Sequence, residues 1–230
     1  MGVADAAECP PTFNSPHHLV QAIIAGGKEA VWRSIEGAED DYEDGKEAIA
    51  KNRVCPKDTV VGLSASGRTP FVVAALEETR RIGAKTVAVS TTPNSKIAEI
   101  ADVTITPVVG PEVITGSTRM KAGTAEKLVL NMISTASMIR IGKVYSNLMV
   151  DLKPVSEKLR SRARRILKIL TGIDSKAANE ILEKAGRNLK AALVMIEANT
   201  NREAALKALN ESSGVVWKAT EIARKRSTTQ

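Results

Sequence analysis

Val60-Val61-Gly62-Leu63-Ser64-Ala65-Ser66-Gly67-Arg68-Thr69 sets the architecture of this chain. An apolar run stops at a cluster of small hydroxyls and glycine, and a helical pattern begins at once. A strand that passes into a helix this way leaves a loop at the helix N-terminus. There the first N–H groups have no intrahelical partner and the helix dipole is positive. The hydroxyls of Ser64, Ser66 and Thr69 can donate to phosphate oxygens, and Gly67 lets the backbone approach an anion. The loop reads as a phosphate cradle. A plain strand-to-helix turn, rich in Ser and Gly for conformational reasons, would look similar.

On either side the pattern repeats. Residues 59–63 read as a strand and 69–82 as a helix, with Val72, Ala75, Leu76 and Thr79 on one face and Gly83 ending it. Residues 86–89 are a β-branched strand that runs into Ser90-Thr91-Thr92-Pro93-Asn94-Ser95. A short helix at 96–101 and a strand at 103–106 follow. Upstream, the apolar run 19–25 reads as a buried strand ending in Gly26-Gly27, and 28–35 has helical spacing. Strands alternating with helices predict an α/β fold with a parallel, three-layer sheet. Ligands collect at the C-terminal ends of such strands, so the loops at Ser64 and Ser90 are expected to adjoin.

Three further stretches carry polar chemistry. Glu8-Cys9-Pro10-Pro11 sets a carboxylate before a double proline, which is expected to end any helix and fix an extended turn. Glu36-Gly37-Ala38-Glu39-Asp40-Asp41 reads, on its own, as a solvated acidic loop ahead of a polar helix at 42–52. Residues 112–124 form a long hydroxyl-rich loop with Arg119 and Lys121. It feeds an amphipathic helix at 125–141 whose apolar face holds Leu128, Val129, Met132, Ile133 and Ala136, with Met132 and Met138 as core fillers. Arg119 and Lys121 are placed either to meet an anion or to make structural salt bridges.

After Pro154 the β pattern gives way to helices at 155–170, 175–185, 189–198, 202–209 and 215–224, with Asp174 a good cap for the second. Two domains are therefore expected, 1–153 and 154–230, the latter small and all-α.

The 230 residues are 43% hydrophobic with two each of Trp, Tyr and Phe, so the core must be aliphatic. No apolar run has the length of a membrane span, and nothing resembles a signal peptide. Two isolated cysteines make no disulfide framework, which points to a reducing cytoplasm. No Cys/His cluster has metal-ligand spacing, and the adjacent His17 and His18 suit a surface turn better. The net charge of +7 is concentrated in Lys158, Arg160, Arg162, Arg164, Arg165 and Lys168 and in Arg224-Lys225-Arg226. With so few aromatics for base stacking, a solvated helix face suits it better than a nucleic-acid surface. Positive charge also favours an anionic substrate.

Six segments together resemble the N-acetylmuramic acid 6-phosphate etherases of the sugar isomerase (SIS) domain superfamily. They are Asp5-Ala6-Ala7-Glu8-Cys9-Pro10-Pro11-Thr12-Phe13, Ile24-Ala25-Gly26-Gly27, Glu36-Gly37-Ala38-Glu39-Asp40-Asp41, Ala65-Ser66-Gly67-Arg68-Thr69-Pro70, the run from Thr115 through Arg119 and Lys121 to Ala125, and Lys143-Val144-Tyr145-Ser146-Asn147-Leu148-Met149-Val150-Asp151. They keep the family's order and spacing, and the helical tail resembles the family's small ubiquitin-associated-like domain. No ubiquitin binding follows from that.

The resemblance implies cleavage of the D-lactyl ether of N-acetylmuramic acid 6-phosphate by elimination and then hydration, with no metal or organic cofactor. It places the family's two functional glutamates on Glu8 and Glu39, which reverses the solvated reading for Glu39 but not for Asp40 and Asp41. Glu8 is the expected main acid/base and Glu39 the second. Ser64, Ser66 and Thr69 are expected to hold the 6-phosphate, and Arg119 and Lys121 to meet the lactyl carboxylate or the phosphate. SIS domains commonly pair, so a homodimer is expected, with helix 125–141 as a candidate surface. The resemblance also sets Met1 just after a Gly-Thr-Ser-Gly-Arg loop of the family, so the SIS sheet is expected to be incomplete at its N-terminal side. A phosphosugar sensor like glucokinase regulatory protein, an inactive remnant and an aldose–ketose isomerase are the alternatives. Glu8 and Glu39 argue for chemistry over sensing. The Glu8 segment and residues 115–125 argue against the isomerase.

Overall fold

The computed structural model describes residues 1–152 and 156–227. It divides into two compact units, Met1–Ala6 with Val20–Met132, and Ala7–Leu19 with Ile133–Gln230. The expected boundary at Pro154 lies outside the described residues.

The first unit is built on a parallel sheet of β1 (Thr59–Leu63), β2 (Lys85–Val89) and β3 (Val103–Ile105), in that order. Each strand reaches the next through a helix, α3 (Pro70–Ile82) and then α4 (Lys96–Ile100). Pro70 sits at the first helical position of α3, where no N–H is needed, and Gly83 closes that helix at φ 87°. Phe71, Ala75, Leu76 and Thr79 of α3 are buried. Gly62 makes room for that face, since a Cβ there would meet Leu76 Cδ1 at 2.7 Å. The α/β class and all three of these strands agree with the sequence pattern.

Helix α2 (Tyr42–Lys51) packs on α3. Asp41, expected to be merely solvated, is its N-cap and accepts a hydrogen bond from Asp44 N at 2.9 Å.

Several expectations are corrected. The double proline does not end the first helix: α1 runs Gly2–Phe13 through Pro10 and Pro11. Proline's fixed φ is itself helical, and prolines so near the end cost only two backbone bonds. Asn14, at φ 51°, follows the helix. Residues 19–25 form no strand, and Leu19, Ile23 and Ile24 are exposed. A strand needs a ladder partner, and no described strand pairs with them. The helical spacing at 28–35 yields only one 3₁₀ turn, Gly27–Val31.

Helix α5 spans Lys121–Arg140 and begins earlier than its apolar pattern. Its buried side carries Ala122, Glu126, Val129 and Met138, whereas Leu128 and Met132 are 48% and 60% exposed. Met138 is a core filler and Met132 is not.

The second unit contains the tail of α5 and a two-stranded hairpin, β4 (Val144–Tyr145) with β5 (Leu148–Met149). Its helices are α6 (Glu157–Thr171), α7 (Ser175–Lys184), α8 (Leu189–Glu197), α9 (Arg202–Glu211) and α10 (Val216–Ser227). Asp174 caps α7, accepting from Lys176 N and Ala177 N. Helix α8 is buried at every position from Leu189 to Met195, and its Leu193 shares a core with Leu167 of α6 and Leu182 of α7. Each such leucine contributes about 2 kcal/mol by leaving water.

One charged cluster lies within this unit. Asp151 pairs with Lys143 at 2.9 Å and Lys190 at 3.1 Å, and those ammonium groups also donate to the carbonyls of Asn14 and Gly214. Burial alone would raise the Asp151 carboxyl, but the two lysines outweigh it and hold it below the usual range.

Candidate functional site

The cradle forms where β1 ends. Ser64 N–H donates to the Val89 carbonyl at 3.0 Å, which ties the loop to the neighbouring strand. The chain then turns back on the Ser64 side chain. Ser64 Oγ lies 2.8 Å from Thr69 Oγ1 and accepts from Gly67 N–H at 3.0 Å. Ser66 Oγ accepts from Arg68 N–H at 3.3 Å and lies 3.4 Å from Ser64 Oγ. Gly67 turns at φ 63°, and a Cβ there would fall 2.3 Å from Ser95 Cβ. Three hydroxyls and a glycine thus gather at the start of α3. This arrangement suits a small anion.

The loop after β2 closes on the same place, as the strand order requires. Thr91 N–H and the Thr91 and Thr92 hydroxyls all donate to the Ala65 carbonyl, at 3.1, 3.1 and 3.0 Å. Ser90 Oγ donates to Ser95 Oγ at 3.2 Å, and Ile97 N–H donates to the Gly67 carbonyl at 3.1 Å. Ser90 and Ser95 are buried. Sequence reading placed this loop near the cradle but did not single out Ser95, which fixes the back of the Gly67 turn.

Glu39 lies exposed in the 3₁₀ turn Ala38–Asp40, which packs on α3. Glu8 is exposed on α1 and belongs to the second unit.

The loop before α5 separates its two cations. Glu112 accepts from Lys121 N–H and Ala122 N–H, both at 3.0 Å, and so caps the helix; those two bonds pull its carboxyl below the ordinary range. Lys121 Nζ donates to the Pro111 carbonyl at 2.8 Å, so its ammonium is engaged within the loop and makes no salt bridge among the described residues. Arg119 is exposed, with no hydrogen bond or ion pair among the described residues. It opens on a cleft of about 750 Å³ lined also by Ser117, Thr118, Thr124 and Glu126.

Glu126 was not foreseen as a site residue. It is 4% exposed, its Oε1 has no hydrogen-bond partner among the described residues, and burial pushes its carboxyl up to about 7. Its signal lay in spacing: Glu126 falls three residues before Val129 and seven before Ile133, on the side of the helix that turns inward. Among the described residues no group of three His, Cys, Asp or Glu could hold a metal ion, and no helix is long and apolar enough to cross a membrane.

Known proteins match most of this chain. An N-acetylmuramic acid 6-phosphate etherase of Symbiobacterium thermophilum is 60% identical over 86% of the chain and 66% of its own length. One of Clostridium acetobutylicum is 50% identical over 98% of the chain and 74% of its own length. The chain belongs to the N-acetylmuramic acid 6-phosphate etherase family. A third etherase of this family, from Caldanaerobacter subterraneus subsp. tengcongensis, is 49% identical over 96% of the chain and 72% of its own length. Residues 3–80 also match the profile of the glucokinase regulatory protein N-terminal SIS domain, in keeping with the parallel sheet and the family's SIS fold. The chain spans a little under two thirds of the Symbiobacterium relative and about three quarters of the Clostridium one.

Proposed function

We propose that this protein is a lyase that cleaves the D-lactyl ether of N-acetylmuramic acid 6-phosphate, releasing N-acetylglucosamine 6-phosphate and D-lactate. The observation that carries this reading is the 60% identity, over 86% of the chain, to a relative bearing that name. The hydroxyl cradle at Ser64, Ser66, Gly67 and Thr69 supports it, since a phosphosugar needs such a seat.

The reaction runs on the ring-opened sugar. A base removes the C2 proton, which is acidic because it lies α to the C1 aldehyde. The C3–O bond then breaks, a proton reaches the departing lactate oxygen, and an α,β-unsaturated aldehyde remains. Water adds at C3, and C2 recovers a proton. Glu8 serves as the main acid/base and Glu39 as the second. Arg119, which has no hydrogen bond or ion pair among the described residues, suits the lactyl carboxylate. Lys121, engaged at Pro111, is left to hold the loop. In this reading residues 1–153 carry the chemistry, residues 154–230 are an accessory helical domain, and the enzyme works as a cytoplasmic homodimer without metal or organic cofactor.

Incubating the purified chain with N-acetylmuramic acid 6-phosphate and following D-lactate tests the reading, with the Symbiobacterium relative as positive control. Lactate release that Glu8→Gln abolishes is the expected result. Phosphosugar binding without any lactate would make the chain a sensor instead.

A further inference from the structure

Glu126 is a buried ionisable group that the proposed mechanism leaves unused. We infer that it is a ligand-contacting residue, whose carboxyl takes a hydrogen bond from a hydroxyl or amide N–H of an anionic amino sugar in the cleft at the start of α5. The inference rests on the phosphosugar reading above.

The first argument is the carboxyl itself. Glu126 is 4% exposed and its Oε1 has no partner among the described residues, which is a costly arrangement for a group that leucine or glutamine could replace. A purely structural carboxylate at such a depth finds a lysine, an arginine or a backbone N–H, as Asp151 does.

The second argument is what surrounds it. Ser117, Thr118, Thr124 and Arg119 line the same cleft. The helix end offers an anion little there, because Glu112 already occupies the N–H groups of Lys121 and Ala122. Gly123 N–H and Thr124 N–H are likewise bonded, to the Thr118 and Met120 carbonyls. Beside Lys127, the cleft therefore presents one buried acceptor, a guanidinium with no partner among the described residues, and several hydroxyls. Its complement is a molecule with donors for Glu126 and a negative group for Arg119. An amino-sugar phosphate or lactyl ether has both.

The charged side chains on the surrounding elements include Asp5 on α1, Glu112 and Arg119 in the loop, and Lys121 and Lys127 on α5. Asp5 is held by Asn131. Burial is the main push on Glu126 and leaves that carboxyl titrating near neutrality.

The test uses the full chain, Glu126→Gln and Glu126→Leu, with N-acetylglucosamine 6-phosphate titrated calorimetrically at pH 6, 7 and 8, and urea unfolding of the free proteins. The expected result is a split. Binding weakens at least tenfold in Glu126→Leu and less in Glu126→Gln, the parent's pH dependence across this range disappears in both, and the free variants are as stable as the parent or more so. Variants that bind within twofold of the parent with its pH dependence intact overturn the inference and leave the etherase reading standing. Loss of stability in parallel with binding in Glu126→Gln makes the residue structural and also overturns it. If the parent binds no phosphosugar while the Symbiobacterium relative does, the phosphosugar reading fails and takes the inference with it.

Discussion

Ser64 Oγ lies 2.8 Å from Thr69 Oγ1, so the residue that follows β1 and the residue that precedes α3 meet hydroxyl to hydroxyl. Ser64 is buried and also accepts from Gly67 N–H. An arriving phosphate would compete for these hydroxyls, and the contact holds them together until it does. Ser64→Ala should therefore weaken N-acetylglucosamine 6-phosphate binding by about tenfold or more, the scale of one hydrogen bond to a charged group. Calorimetric titration measures this. An unchanged affinity would mean that the cradle is only a turn.

Gly67 and Ser95 are in closer conflict. A methyl group on Gly67 would have to sit 2.3 Å from Ser95 Cβ, at a φ of 63° that side chains avoid. Gly67→Ala is expected to cost about 2–3 kcal/mol in urea unfolding. Adding Ser95→Gly should restore part of that loss, because the clash goes while the φ strain stays. A double mutant whose losses simply add would show that the two residues do not meet.

Asp151 answers two ammonium groups at once. Removing it in Asp151→Ala strands Lys143 and Lys190 inside the second unit, and a loss of about 3–5 kcal/mol is expected. The carboxyl is held below its ordinary value, so its stabilising effect is present above the unfolded-state value of about 4 and is lost as pH falls below it. Acid unfolding followed by circular dichroism should lose that part of its slope in Asp151→Asn.

Glu126 has the opposite sign. Its carboxyl is raised to about 7, so the folded state is favoured below the unfolded-state value of about 4.5 and loses stability as pH rises through 7. The loss is on the order of 2 kcal/mol, with allowance for solvent on the side open to the cleft. Glu126→Gln should flatten this limb of the pH–stability curve and exceed the parent in stability at pH 8. A parent curve that is flat between pH 5 and 8 would place the carboxyl's ionisation elsewhere.

The stretch from Thr59 to Ile105 was legible because its signals are local. β-branched runs mark its strands, Pro70 and Gly83 bracket α3, and the small hydroxyls of the cradle sit where a strand meets a helix. Asp174 as a cap and the helix at 189–198 were legible for the same reason.

Elsewhere the outcome depended on partners that a local pattern does not reveal. The run 19–25 is apolar enough for a strand, but without a ladder its backbone groups gain nothing from extending. Pro10 and Pro11 read as a stop, yet the helix carries them because only two bonds near its end are lost. On α5 the apolar residues cover more than one face, so the sequence alone limited the choice without making it. Tertiary packing chose the side with Val129 and Met138, left Leu128 and Met132 outside, and drew Glu126 in. The sequence alone determined the βαβ frame and the cradle, which are written in neighbouring residues, and the family, whose segments keep their order and spacing along the chain. The tertiary structure decided which helix face is buried, and so which carboxylate oxygen has no partner among the described residues, because burial is a relation between distant segments.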